Sequence, residues 1–184
     1  MALTLAKWTI DDYHQMIESG ILAGRNVELI AGEIVEMSPE GELHAYTNDE
    51  AGEYLIYLLG NRAKVRQGKP IAIPENNSEP QPDLAIVQRL GRNYRDRHPH
   101  PENIFWLVEY SYSTLTTDSQ VKNRLYAAAG ILEYWIVDLR SRELIVLREP
   151  TENGYQSRAT YRQGIICPLA FPDVEISVEQ ILGI

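Results

Sequence analysis

At 184 residues the chain suits one domain spanning 1–184 and is long enough to bury a core. A hydrophobic fraction of 44% argues against wholesale disorder, no apolar run reaches the length of a membrane span, and the single cysteine, Cys167, rules out an intramolecular disulfide. The net charge of −9 excludes a protein that coats nucleic acid through a broad basic surface, but not an enzyme that gathers carboxylates around a metal.

The first ten residues carry one Lys and no long apolar stretch, so no signal peptide is expected, and a cytoplasmic location is the default. Thr9 is an N-cap residue ahead of Asp11 and Asp12, which favour the positive end of a helix dipole. Trp8 and Tyr13 stand at the staple positions, and Gly20 is a stop. Residues 26–38 alternate as a β-hairpin around Ala31-Gly32, with Glu28, Glu33 and Glu36 at polar positions. Residues 44–59 read as a helix that turns Tyr54, Leu55, Leu58 and Leu59 to a core.

Residues 63–73 read as a strand of mixed quality. Residues 82–87 form a short, nearly continuous apolar strand with Asp83 at its mouth, the pattern of a strand buried on both faces. A loop over 88–103 leads to a second buried strand over 104–110. The helix that follows starts near Thr114 or Asp118 and ends before Gly130, with Val121, Leu125, Ala128 and Ala129 as its apolar stripe. Strands over 133–138 and 143–148 come next, then the Asn153-Gly154 turn and a strand over 155–161. The order predicts an α/β (α+β) fold with a mixed sheet, an N-terminal helix plus hairpin, and a βαβ crossover that makes strands 104–110 and 132–138 parallel.

The residues that carry chemistry are Asp83, Glu109 and Lys122. Two carboxylates anchored on buried strands are costly unless paired or metal-bound. A hard divalent cation resolves their repulsion: Mg²⁺, with Mn²⁺ as a substitute, takes one or two carboxylates together with water and phosphate oxygens. Such an ion polarises a phosphate and supplies a hydroxide nucleophile. Taken singly, each acid reads equally as a strand-end cap or half of a salt bridge. Asp118, Lys122 and Tyr126 share a helix face distinct from the Val121/Leu125 stripe, so Lys122 is placed to offset charge on a phosphate. The bland alternative is a surface pair with Asp118, worth about 0.3–0.5 kcal/mol.

Accessory candidates are Glu28, as a further ligand or an outward hairpin residue, and His44, as a phosphate contact, an acid–base group or a helix-start residue. Ser111 and Ser113 read as site hydrogen-bonders or, more simply, caps of the helix after them. Arg89, Arg92, Arg95 and Arg97, with His98 and His100, make 88–103 the most basic segment. Both ends of that loop lead toward the acids, which makes it a phosphate-positioning candidate or a solvated loop.

Pro82-Asp83, then Glu109, then a Lys resembles the PD-(D/E)XK nuclease superfamily. In most of that superfamily the Lys lies two residues after the Glu, where this chain has Ser111. The fuller set is similar to the Uma-two family of restriction-endonuclease-like proteins: Pro82-Asp83, Glu109, Ser111-Tyr112-Ser113, Asp118, Lys122, Tyr126, Gly130 and Glu133-Tyr134-Trp135. Glu28-Leu29 and Gly32-Glu33 in the hairpin and His44 at the second helix fit it too.

The resemblance covers roughly residues 9–148 and implies a restriction-endonuclease-like core, a Mg²⁺ site at Asp83 and Glu109, and Lys122 reaching in from the helix. It implies a metal-dependent endonuclease acting on DNA, and a homodimer is expected because two sites cut the two strands of a symmetric duplex. The alternative is a binding module for nucleic acid or protein on the same fold with little turnover. Glycoside hydrolysis by the two carboxylates leaves Lys122 unexplained.

Overall fold

The computed structural model describes residues 4–112 and 117–184, with the backbone alone for 117–119. Helix α1 (Ile10–Glu18) starts as its capping residues dictate: the Thr9 hydroxyl accepts the Asp12 N–H, and the Asp12 carboxylate accepts the Thr9 N–H in return. Tyr13 is buried and donates its hydroxyl to the Val27 carbonyl, whereas Trp8, its expected staple partner, stays 42% exposed.

Strands β1 (Val27–Ile30) and β2 (Glu33–Glu36) form the expected hairpin. Ala31 and Gly32 both take positive φ, 48° and 76°, as a tight two-residue hairpin turn requires. All four β1 residues are buried, because α1 packs on the hairpin and segment 78–81 runs along its free edge, with the Glu79 N–H on the Leu29 carbonyl. Glu28 is thereby enclosed at 1% exposure, against its reading as an outward hairpin residue.

Helix α2 (Glu42–Leu59) follows. Beyond it lies a six-stranded mixed sheet, in the spatial order β3 (Lys64–Gln67), β4 (Leu84–Val87), β5 (Ile104–Ser111), β6 (Glu133–Asp138), β7 (Glu143–Thr151), β8 (Gly154–Tyr161). Only β5 and β6 pair in parallel, and helix α4 (Thr117–Ala128) is their crossover, as the strand–helix–strand pattern predicts. A short helical turn, α3 (Asn93–Asp96), and a 3₁₀ turn (Pro101–Asn103) lie between β4 and β5. The two-residue strands β9 (Ile165–Ile166) and β10 (Ile176–Ser177) and helix α5 (Val178–Leu182) close the chain.

The strand expected over 63–73 is shorter than predicted. It stops at Gln67, Gly68 turns at φ 54°, and Ile71 and Ile73 bond back to Pro80 and Ser78 as a separate excursion.

One face of the sheet packs Trp106, Val108, Trp135 and Val137 against Ala51, Leu55 and Leu59 of α2 and Ile181 of α5. α2 approaches β3 closely at Gly52, where a Cβ would collide with the Gln67 side chain. The other face packs Ala85, Leu107 and Ile136 against Leu125 and Tyr126 of α4. At 25 cal/mol per Å² each fully buried large side chain contributes about 1.5–3 kcal/mol, so these two layers hold the strands that carry the acids. No helix among the described residues is long and apolar enough to cross a membrane.

Candidate active site

The site assembles where β4 begins and β5 ends. Leu84 pairs with Val108, so continuing the antiparallel register by one residue sets Asp83 beside Glu109. The backbone secures this join: the Tyr110 N–H donates to Asp83 Oδ2 at 2.6 Å. Asp83 and Glu109 therefore sit on rigid backbone, within a layer that excludes most water.

Around Glu109 the structure gathers two further elements. Lys122, from the middle of α4, brings Nζ to 3.3 Å from Glu109 Oε1 and to 3.2 Å from Glu28 Oε1. One turn later Tyr126, itself fully buried, donates its hydroxyl to Glu109 Oε1 at 2.8 Å. The four-residue spacing of Lys122 and Tyr126 puts both on the helix face that looks down on β5. Glu28 takes the Gln81 N–H on its second oxygen, so the buried β1 carboxylate is held from two sides. Burial pushes the Glu109 carboxyl up to about 8, with Lys122 opposing and Asp83 and Glu28 adding to the rise.

Asp83 faces the other way with its second oxygen. His44 Nε2 on α2 lies 3.2 Å from Asp83 Oδ1, yet it is a buried nitrogen with no well-aligned hydrogen-bond partner. Burial works against protonating His44, but the Asp83 carboxylate, with Glu40 and Glu109 behind it, lifts its pKa above the ordinary histidine value. Glu40, on the loop before α2, completes a set: one ligand atom each of Glu40, His44 and Asp83 lie within 4.8 Å of one another. A buried imidazole nitrogen left without a good partner, beside two carboxylates, is a donor set suited to a divalent cation. Glu40 escaped the sequence reading, although its place four residues before His44, next to a helix start, was a usable signal.

The structure thus brings together Asp83, Glu109, Lys122, Glu28, His44 and Tyr126. Ser111 ends β5, two residues past Glu109, and its carbonyl accepts the Leu139 N–H. Ser113 and the side chain of Asp118 lie outside the described residues.

The basic loop is not where its sequence position suggested. β4 and β5 are antiparallel, with Asp83 at the start of one and Glu109 near the end of the other, so the loop joins their opposite ends. From Ile104 to Glu109 the strand spans roughly 17 Å. Arg89 is spent on the Gly60 and Ala63 carbonyls, and Arg97 on Asn103 Oδ1. Arg92 and Arg95 are exposed on the same far side.

The chain matches the family described as "Uma2: Putative restriction endonuclease" over residues 10–179. Among solved structures, "a putative nuclease belonging to DUF820" from Anabaena variabilis ATCC 29413 has the same fold. It aligns with a TM-score of 0.73 at 14% identity, covering 95% of this chain and 97% of that one. No curated protein sequence matches the chain.

Proposed function

The chain belongs to the Uma2 family, and from that premise we propose that it is a metal-dependent endonuclease that hydrolyses phosphodiester bonds in DNA at the Asp83–Glu109–Lys122 site. The observation that carries this reading is the meeting of Lys122 with Glu109 at 3.3 Å, beside the Asp83 that faces Glu109 across the strand register.

Asp83 and Glu109, with Glu40 beside Asp83, would hold a Mg²⁺ or Mn²⁺ ion through carboxylate oxygens. When bound, that ion supplies Lewis-acid polarisation of a phosphate oxygen and acidifies a water. The chain's own groups do the rest. Lys122, fixed between Glu28 and Glu109, presents its ammonium to a phosphate oxygen and offsets the negative charge that grows as the water oxygen bonds to phosphorus and one P–O ester bond breaks. Tyr126 and the Tyr110 N–H lock the two acids so that neither swings away during the displacement. A lysine entering from α4 answers the substitution of Ser111 for lysine on β5. A homodimer would place two such sites on the two strands of one duplex.

The test is nicking of supercoiled DNA by the purified protein, with Mg²⁺ or Mn²⁺ and with EDTA. Metal-stimulated nicking that EDTA stops is the expected result. A second reading, a binding module with little turnover, draws on the net charge of −9 and on the far placement of the arginine-rich loop. It predicts DNA or protein binding with no nicking under either metal.

A further inference from the structure

A second group of ligand-type side chains lies away from the acids. His14 comes from α1, Glu79 from the segment along β1, and His98 from the loop between β4 and β5. One ligand atom of each lies within 4.8 Å of the others. His14 Nε2 is 2.8 Å from Glu79 Oε2, and His98 Nε2 is 3.8 Å from Glu79 Oε1, so both carboxylate oxygens are addressed by imidazoles. We infer that His14, Glu79 and His98 form a binding site for a divalent transition-metal ion of the Zn²⁺ type, separate from the Glu40–His44–Asp83 group.

Three features carry this. First, the carboxylate is built in: the Glu79 side chain is only 5% exposed, and its backbone N–H is tied to the Leu29 carbonyl at 2.7 Å. A buried carboxylate must be compensated, and one protonated imidazole would suffice for that. The second imidazole is surplus to charge balance but is what a three-ligand site requires.

Second, the spacing is right for coordination. A tetrahedral ion with ligand bonds of about 2.0–2.2 Å separates its ligands by about 3.3 Å. The imidazole nitrogens lie 2.8 and 3.8 Å from the two Glu79 oxygens in turn, and the half-exposed rings of His14 and His98 have room to turn onto a shared ion.

Third, the donor chemistry selects the ion. Two imidazoles and one carboxylate suit Zn²⁺, Co²⁺ or Ni²⁺ over Mg²⁺, which prefers an all-oxygen shell. Three protein ligands leave a fourth position open, and here a cleft of about 440 Å³ lined by Ile10, Tyr94, Arg95 and Arg97 adjoins it. A water, or a small anion drawn by the exposed Arg95, would complete the shell. The ion would also join α1, the 71–80 excursion and the basic loop.

This inference does not depend on the nuclease reading, and its test is read without DNA. Equilibrium dialysis with ZnCl₂ alone, on an Asp83→Asn/His44→Gln variant that disables the other ligand group, should find one tightly held equivalent per chain. Adding His14→Gln and His98→Gln should weaken that equivalent by more than about 100-fold, beyond the loss seen when only supporting groups are removed. No bound Zn²⁺ in the first variant, or an equivalent undiminished in the second, would overturn the assignment. Should the second variant fail to fold by circular dichroism, Co²⁺ titration of the first decides: visible bands of a four-coordinate ion support the site, and only the weak spectrum of hydrated Co²⁺ overturns it.

Discussion

Lys122 and Glu109 meet across two elements whose sequence positions give no local reason for contact: the ammonium descends from α4 and lies 3.3 Å from Oε1 of the β5 carboxylate. The same ammonium reaches Glu28 of the N-terminal hairpin at 3.2 Å. One cation therefore ties the hairpin, the crossover helix and the central strand together, inside a layer where the Lys122 and Glu28 side chains are 8% and 2% exposed.

Lys122→Met removes that cation while keeping most of its volume. It strands Glu28 beside Glu109 with no opposing charge, and breaking one side of a buried ion pair costs about 3–5 kcal/mol. Urea denaturation should show a loss of that order, and nicking should fall below detection. A loss under about 0.5 kcal/mol would place Lys122 among weak surface pairs instead.

Tyr126→Phe deletes one hydroxyl and leaves the ring against Tyr134, its edge-to-face neighbour at 5.1 Å. The lost hydrogen bond to the Glu109 carboxyl costs about 1–3 kcal/mol. The nicking rate should drop because Glu109 is less firmly held, with the apparent metal affinity falling alongside. A variant with wild-type metal dependence and rate would show that Tyr126 serves packing alone.

The raised pKa of Glu109 makes a pH prediction with a definite sign. The unfolded carboxyl releases its proton near 4.5, while the folded one keeps it to about 8. Between those values the folded state binds more protons, so this group's contribution to stability declines as pH rises, by on the order of 1 kcal/mol per pH unit at most. Measured without metal, wild type should therefore lose stability relative to Glu109→Gln from pH 5 to about 8, and the difference should level off above that. Parallel stability curves for the two proteins across this range would contradict the assignment.

The arginine-rich loop gives a prediction set by topology. Arg92 and Arg95 are exposed at the ends of β4 and β5 remote from Asp83 and Glu109. Arg92→Ala/Arg95→Ala should leave the rate for a short oligonucleotide duplex unchanged and weaken binding only to DNA long enough to wrap around the sheet. Equal weakening for duplexes of all lengths would bring the loop into the immediate site.

Much of this arrangement was legible in the residues. The Thr9 cap, the Ala31-Gly32 turn and the parallel pair around α4 followed from capping groups, turn chemistry and the strand–helix–strand order. Trp106, Trp135 and Tyr134, on apolar strands, are buried in the core. What stayed hidden depended on partners distant in sequence. Alternation marks Glu28 as polar, but its burial comes from segment 78–81, some fifty residues on, closing over the β1 edge. The basic loop seemed to flank the acids because sequence order does not say which end of a strand a loop joins; the antiparallel register does. The His14–Glu79–His98 group emerges only when α1, the segment along β1 and the basic loop are brought side by side.

The most direct test of the central claim is the Mn²⁺-dependent nicking rate of Asp83→Ala beside wild type, with circular dichroism confirming that both are folded. The account predicts nicking by wild type that EDTA abolishes, and none above background for Asp83→Ala. Nicking by wild type that survives both EDTA and the Asp83→Ala change would contradict it.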